Sequence, residues 1–341
     1  MTSTPLHVKT SIILPVHNAD STIAECLDSI CQQSLPDFEL LVIDDGSTDQ
    51  SITIIRDYQQ SDHRIRLIEA GRVGLVKALN LGIEHTSGEY IARMDADDRM
   101  YSTRLEKQQQ YLDSHPDTGL ISCKARLFPE TEIKRGYQEY MLWQNQCLTS
   151  EEIARQIFIE SPFAHPSVMI RRSALNKVGG YRQGNFPEDY ELWLRLHSLG
   201  IKMAKLNETL LDWRESPNRT SRIDPRYRQQ AFDQLRATYL VNNDVIPKNR
   251  PLVFWGAGRK TRKRIQLLLD NGYDVSAWVD IDKNKIGKTI QGAPVHDHYW
   301  LEQEPKPFVL SYVNNHGARK LIIDALEKMG YQSETDYLIV G

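Results

Sequence analysis

The chain has 341 residues and a formal net charge of −3; 40% of its residues are hydrophobic and 26% are charged. This composition is typical of a globular protein and excludes a disordered or collagen-like chain, and the near-neutral charge argues against a dedicated nucleic-acid binder. The sequence has no apolar run of the roughly 18 residues that span a membrane, no signal-peptide pattern, and no disulfide framework or CxxC zinc pair among its four cysteines. We therefore expect a cytoplasmic protein, and the length predicts two domains.

The first part of the chain alternates short apolar runs with helical patterns. Strands are predicted at 11–14, 38–43, 65–68 and 90–94. Helices follow the first three strands: one capped by Asp20 or Ser21, one beginning at Ser47 or Asp49, and one over 75–83. This alternation predicts an α/β fold with a mostly parallel sheet that is covered on both faces.

The rest of the chain is predicted to continue with a long loop over 214–228 and a helix through Phe232, Leu235 and Tyr239. After a linker at 242–251 the rhythm restarts, with strands at 252–255, 275–279, 308–312 and 337–340 and helices ending at 269 and over 318–329. We expect a domain over 1–244 and a smaller Rossmann-like α/β domain over 245–341. Residues 246–341 are net basic and the remainder is net acidic, which indicates modules with different partners.

Three polar clusters follow predicted strands, where α/β sheets bind their ligands. They are 15–18, 44–46 and 95–98. The carboxylates of Asp95, Asp97 and Asp98 would repel one another, and a hard divalent cation such as Mg²⁺ or Mn²⁺ relieves that repulsion. An acidic turn exposed to solvent is the plain alternative, but the Asp44-Asp45 and Glu188-Asp189 pairs favour a site.

Several ordered motifs resemble the inverting family 2 glycosyltransferases, which have the GT-A fold. The motifs are SIILPVHN, LLVIDDGSTD, GEYIARMDADD, HPSVMIRRSALNKVGGYR and FPEDYELWLRL, and together they extend from about residue 10 to residue 222. The resemblance implies a sugar transfer from a nucleotide-diphosphate donor to a hydroxyl of a glycan or lipid-linked acceptor, in surface polysaccharide assembly.

The resemblance also implies roles for individual residues. On the donor side, Asp45 would hydrogen-bond the nucleotide base, Asp95 would face the ribose, and Asp97 would bind the metal, with Asp95 beside it. Asp98 is an outer ligand in this scheme, and the residues expected against the base are Pro15, His17 and Asn18.

On the acceptor side, Asp189 would be the general base, with Glu188 as its positioning neighbour and His165 in an acceptor loop. Lys77 and Arg93 could contact phosphate, although an exposed helix face and a sheet face are the simpler interpretations. Arg219 or Arg222 could reach the diphosphate, or the segment could be a solvated basic loop.

The second domain opens with Gly256 and Gly258 between a strand and a helix, and Asp280 closes the next strand. This pattern is typical of a Rossmann nucleotide site, although Thr261 stands at the third glycine position. The segment is similar to the nucleotide-sugar-binding domain of sialic-acid-type sugar acetyltransferases. Basic residues in the first turns of its helix could bind phosphate or an anionic membrane or glycan surface, or form a solvated face.

Two other functions stay open at this point. A non-catalytic nucleotide-sugar-binding regulator would keep the same residues, because their presence does not require turnover. A sugar nucleotidyltransferase shares this sheet architecture, but it would carry a glycine-rich phosphate loop where the sequence has 15–18. We expect no nucleic-acid partner and no membrane span, with peripheral contact at the inner face of the plasma membrane as an open alternative; the oligomeric state is not predicted.

Overall fold

The computed structural model describes residues 8–130, 133–216, 219–303, 305–313 and 316–341. The chain divides into two compact units, Met1–Ile153 with Ser161–Arg226, and Ala154–Glu160 with Tyr227–Gly341. The domain boundary between residues 244 and 245 stays a prediction.

The first unit is built on an eight-stranded sheet in the order β3-β2-β1-β4-β7-β6-β8-β5. Its strands are β1 (Thr10–Val16), β2 (Phe38–Asp44), β3 (Ile65–Glu69), β4 (Tyr90–Arg93), β5 (Arg99–Met100), β6 (Thr118–Phe128), β7 (Met169–Arg171) and β8 (Lys202–Arg214). The neighbouring strands β3, β2, β1 and β4 are parallel, as are β6 and β8, whereas β7 and β5 run antiparallel to their neighbours. The predicted mostly parallel α/β sheet is therefore confirmed.

Helices lie between these strands. They are α1 (Ile23–Cys31), α2 (Ser51–Ser61), α3 (Leu75–His85), α4 (Arg104–Ser114), α5 (Arg135–Gln146), α6 (Ser150–Gln156), α7 (Arg172–Val178), α8 (Glu188–Ser198) and α9 (Thr220–Ile223). Side chains of β2 alternate between two apolar clusters: Leu40 and Val42 join the larger one, and Leu41 and Ile43 pack with Ala78 of α3. Both faces of the sheet are thus buried, which accounts for the unbroken apolar runs in its strands.

The predicted helix caps are wrong. Helix α1 begins at Ile23 and α2 at Ser51, and neither has a side-chain cap. Polar side chains after β2 bind the loop after β1, because the two loops lie side by side, and Asp49 Oδ1 also accepts the backbone N–H of Ser51 at 3.0 Å. Asp49 Oδ2 accepts the backbone N–H of Asp20 at 3.1 Å, and Ser47 Oγ accepts that of Asn18 at 3.0 Å.

The segment predicted as a long loop over 214–228 contains short helical turns. Arg214 ends β8, α9 follows, and a 3₁₀ turn covers Pro225–Tyr227. Residues 217 and 218 lie outside the described residues. Few apolar residues mark this stretch, so its structure depends on contacts made by its arginines rather than on an apolar face.

The second unit has its own six-stranded sheet in the order β11-β12-β10-β9-β13-β14. Its elements are α10 (Gln229–Asn242), β9 (Leu252–Trp255), α11 (Arg259–Leu269), β10 (Ala277–Val279), β11 (Thr289–Ile290), β12 (Ala293–His296), β13 (Phe308–Ser311), α12 (His316–Lys328) and β14 (Tyr337–Ile339). All pairings are parallel except β11 with β12. This confirms the smaller α/β domain with a Rossmann-like order.

The structure also shows the character of the helices and the state of the cysteines. Within the described part of the chain, no helix combines the length and the apolar character that crossing a bilayer requires. The four cysteines are free thiols.

Candidate active site

The sheet of the first unit gathers the predicted donor residues at one edge. Strands β1, β2 and β4 are parallel, so the segments that follow Val16, Asp44 and Arg93 leave the sheet at the same edge. Strand β7 is antiparallel to β4, and the residues that precede it therefore lie at this edge too. The topology thus brings the segment around His165 to the carboxyl ends of the parallel strands, where α/β folds bind ligands.

Three aspartates form a compact cluster directly after β4. One carboxylate oxygen from each of Asp95, Asp97 and Asp98 lies within 4.8 Å of the other two. Asp98 is 1% exposed, and the other two are half-buried. Asp98 Oδ1 accepts the backbone N–H of Arg214 at 2.7 Å, whereas its buried Oδ2 has no hydrogen-bond partner among the described residues.

Burial and the charges of neighbouring carboxylates raise the pKa values of two acids in the cluster. Burial, and then the negative charge of Asp95, raise the pKa of Asp97 to about 6. Burial and the charge of Asp97 likewise raise the pKa of Asp98 well above its ordinary value. An all-carboxylate donor set with an unsatisfied buried oxygen is chemistry that suits Mg²⁺ or Mn²⁺. The residues present therefore fit a divalent metal.

Arginines surround this cluster. Arg93 is the last residue of β4, as the sheet-face interpretation expects; it is 4% exposed, and its Nη1 lies 2.5 Å from Asp95 Oδ1. The Arg219 guanidinium lies 3.7 Å from the centre of the Trp213 ring and opposes the rise in the pKa of Asp97. Arg222 instead donates through Nε to Glu215 Oε1 at 2.9 Å. Of the two arginines considered for the diphosphate, Arg219 is thus the one beside the acid cluster, while Lys77 is exposed on α3.

Asp45 lies in the loop after β2 and is engaged by the loop before α3. Its Oδ1 accepts the backbone N–H groups of Val73 at 2.6 Å and Gly74 at 2.7 Å, and its Oδ2 lies 2.6 Å from Arg72 Nη1. Arg72 itself is 63% exposed at the side chain. The predicted base-binding carboxylate therefore lies beside an exposed arginine that the sequence analysis did not single out. Its role toward the base stays a prediction.

The segment after β1 places the other predicted base contacts. Pro15 is buried within β1, and His17 and Asn18 are exposed. Asn18 has a positive φ of 51°, and its Oδ1 accepts the backbone N–H of Thr48 at 2.9 Å. The Asn18 side chain thus holds the loops after β1 and β2 together, and the imidazole of His17 is left at the surface beside them.

The predicted base, Asp189, is the second residue of α8. Burial, and then the charge of Glu188, raise its pKa from the ordinary 3.8 to about 7. Glu188 is 1% exposed; its Oε1 lies 3.9 Å from His165 Nδ1, and its Oε2 lies 3.5 Å from Arg226 Nη1. A carboxyl group whose pKa is near neutrality is suited to take and release a proton at physiological pH.

Tyr181 is a buried residue that contacts His165. Its hydroxyl lies 2.8 Å from His165 Nε2. Burial raises the pKa of Tyr181; the Arg93 guanidinium opposes this rise, while Asp189, Glu188 and Asp95 add to it. The charges of Asp95 and of Asp189 therefore both act on this one buried phenol.

Sequence reasoning missed Arg72, Tyr181 and Arg226. Tyr181 stands within the quoted GGYR motif, so a signal was present for that residue. Arg72 lies in a loop and Arg226 in a 3₁₀ turn, and the site carboxylates that they contact, Asp45 and Glu188, are distant in sequence. Only the tertiary contacts of these two arginines identify them.

The second unit brings its predicted nucleotide residues together at the ends of β9 and β10. Asp280 accepts the backbone N–H of Ala257 at 2.8 Å and that of Asp282 at 2.9 Å, and Lys285 Nζ lies 2.9 Å from its Oδ2. Gly256 has a φ of 100°, and Gly258 precedes the first residue of α11. The Asp280 carboxylate therefore braces its own loops, and a ribose contact there stays a prediction.

The eight-stranded sheet and its helices form an α/β fold of the GT-A type. Comparison with known proteins agrees with this class. The family described as Glycosyl transferase family 2 matches residues 11–179. The chain is 31% identical over 244 residues to the glycosyltransferase named EpsE in Bacillus subtilis, covering 70% of this chain and 80% of that protein. The chain belongs to glycosyltransferase family 2, and it is a glycosyltransferase.

Another relative and a solved structure are also similar to this chain. The O-antigen biosynthesis glycosyltransferase WbnJ of Escherichia coli is 30% identical over 231 residues, which cover 66% of this chain and 87% of that protein. The crystal structure of S. aureus TarS residues 1–349 with UDP-GlcNAc superposes with a TM-score of 0.56 at 19% identity, covering 77% of this chain and 71% of that chain. At this identity the structural likeness shows the fold alone.

Proposed function

We propose that the protein transfers a sugar, with inversion at the anomeric carbon, from a nucleotide-diphosphate donor to an acceptor hydroxyl. The observation that carries this proposal is the placement of an aspartate cluster and of a carboxyl group with a pKa of about 7 around one buried tyrosine. The UDP-GlcNAc complex of the TarS structure supports a nucleotide-sugar donor. The printed names of WbnJ and of the Erwinia amylovora relative, an amylovoran biosynthesis glycosyltransferase, support a role in polysaccharide assembly.

On the donor side, Asp97 and Asp95 would hold a divalent cation, and Asp98 would stand behind them. When bound, such a cation supplies positive charge to the diphosphate leaving group as its negative charge grows. Asp95 would also face the ribose, and Asp45 the base, with Pro15, His17 and Asn18 alongside. Arg219, beside the acid cluster, is the arginine placed to meet the diphosphate.

On the acceptor side, Asp189 takes the proton from the attacking hydroxyl. The hydroxyl oxygen forms a bond to the anomeric carbon while the bond from that carbon to the diphosphate oxygen breaks on the opposite face. The proton ends on the Asp189 carboxylate, and the electron pair of the broken bond leaves with the nucleoside diphosphate. Glu188 is the neighbour that positions the base, and His165 is the predicted acceptor-side residue.

A transfer assay combined with a binding screen tests the proposal. Purified protein is incubated with UDP-, GDP- and dTDP-sugars, with and without Mn²⁺, and thermal shifts identify the donor, since a ligand of the folded state raises its stability. Turnover of that donor with lipid-linked and oligosaccharide acceptors is then measured. Binding without turnover on any acceptor would favour a regulator, and formation of a nucleotide-sugar from a sugar phosphate and a nucleoside triphosphate would favour a nucleotidyltransferase.

For the second unit we infer a separate binding module, resembling the nucleotide-sugar-binding domain of sugar acetyltransferases. Gly256, Gly258 and Asp280 would line its ligand site. The support is the sequence pattern together with the convergence of these loops at the ends of β9 and β10. Titration of the full chain with dinucleotides in the presence of saturating donor sugar tests it, because the first site is then occupied.

A further inference from the structure

Glu188 lies between two side chains from other parts of the fold. It is the first residue of α8 and is 1% exposed. One of its oxygens lies 3.5 Å from Arg226 Nη1, and the other lies 3.9 Å from His165 Nδ1. Glu188 is thus contacted from two sides, and Asp189 follows it in the same helical turn.

Both contacting side chains are themselves held in place. The His165 ring packs edge-on against Trp193 at 6.0 Å, and its Nε2 lies 2.8 Å from the Tyr181 hydroxyl. Arg226 is fixed by Asp224, which lies 3.0 Å from Nε and 2.7 Å from Nη2, so that Nη1 is the nitrogen that faces Glu188. Neither His165 nor Arg226 depends on a bound ligand for its position.

The structure assigns Arg226 as a positioning residue that holds Glu188 and thereby fixes the Asp189 carboxylate for proton abstraction, with His165 packed near the other Glu188 oxygen. This assignment rests on the proposed function of Asp189. His165 is 7% exposed, with one ring nitrogen toward Tyr181 and the other toward Glu188.

The charges around Asp189 determine the sign of the expected pH effect. Glu188 lies beside it, Arg93 acts on it from the end of β4, and Arg226, His165 and Tyr181 face Glu188 or its partners. Burial holds the pKa of His165 well below its ordinary value, so its ring is neutral. Removing the Arg226 charge leaves the charge of Glu188 less compensated, which makes Asp189 harder to ionise and moves the acidic limb of activity to higher pH.

The test compares Arg226→Met with Arg226→Lys and with a matched control, Arg182→Met. Arg182 Nη1 lies 3.6 Å from Glu191 on the same helix and is 60% exposed, so the control removes an arginine–carboxylate contact of similar length away from Glu188. Arg226→Met should lower kcat about tenfold and raise the acidic pKa of the profile by about one unit, with donor and acceptor KM within about twofold. Arg226→Lys should restore the pH midpoint, and Arg182→Met should match the parent.

Other results overturn the assignment. If Arg226→Met keeps kcat within about twofold, or raises the acceptor KM with an unmoved pH midpoint, Arg226 does not act through the base. The Asp189 carboxyl can also be titrated without substrate, by ¹³C NMR of aspartate-labelled protein, with Asp189→Asn assigning its signal. An unshifted titration in Arg226→Met contradicts the inference. If the parent protein transfers no sugar, the proposed function fails on its own, and this titration still decides the positioning role.

Discussion

Asp189→Asn separates the chemical role of this residue from its effect on stability. The carboxyl group is half-buried beside Glu188, and its pKa rises from 3.8 to about 7. Only the ionised form can accept a proton, so kcat/KM of the parent should rise with pH to a midpoint near 7. An amide cannot act as the base, and the variant should lose about 100- to 10,000-fold in kcat.

The same shift predicts that the variant is more stable than the parent. The folded state binds the Asp189 proton more tightly than the unfolded chain does, so above the unfolded pKa the ionised carboxyl group destabilises the fold. This cost grows as the pH rises from about 4 to 7 and is constant beyond. Because the group is partly exposed and coupled to Glu188, we expect a gain on the order of 2 kcal/mol at pH 8 and a smaller one at pH 5.

The assay pairs sugar transfer with urea denaturation at pH 5 and pH 8. A far-ultraviolet circular dichroism spectrum equal to that of the parent controls for misfolding. Transfer within tenfold of the parent would remove Asp189 from the chemistry. A stability difference that is absent at pH 8, or larger at pH 5 than at pH 8, would refute the electrostatic reasoning.

Three further variants follow from the structure. Asp97→Ala removes a repelled carboxylate, so it should raise the melting temperature without ligand and abolish the thermal shift produced by donor with Mn²⁺. Gly256→Ala should cost about 1–3 kcal/mol in chemical denaturation, because φ is 100° and the added Cβ would lie 2.9 Å from a Val313 methyl carbon. Arg195→Met should cost about 3–5 kcal/mol in the same assay, since it leaves the buried Glu191 carboxylate, 2.6 Å from Arg195 in the parent, without its main cation.

The sequence was most informative where local pattern and structure coincide. Strands β1, β2 and β4 are mostly apolar and almost entirely buried, and their predicted bounds agree with the structure to within two residues at either end. The acidic cluster follows one of these strands directly, so it needed no tertiary information. The predicted cap at Asp20 or Ser21 was wrong because α1 begins only at Ile23, and the backbone N–H of Asp20 is bound by Asp49 of the neighbouring loop.

The part of the site around Glu188 could not be predicted from local sequence patterns. Strand β7 has three residues and β8 carries polar positions, so neither shows a clear period. The contact between Arg226 and Glu188 joins positions far apart in the chain, and nothing local to either residue indicates it. Local sequence patterns thus predicted the residues that follow consecutive parallel strands. They did not predict the contact that Arg226 makes with Glu188.

The reversal of direction at β7 has a consequence for how this enzyme could diversify. The carboxylates assigned to the donor follow β2 and β4, whereas the proposed base, its supports and Arg219 come from chain that follows β6. New acceptor preferences could therefore arise by exchanging the later chain segment while the earlier one is inherited unchanged. The exchanged segment would have to preserve the antiparallel pairing between β4 and β7, because this pairing joins the two parts of the sheet.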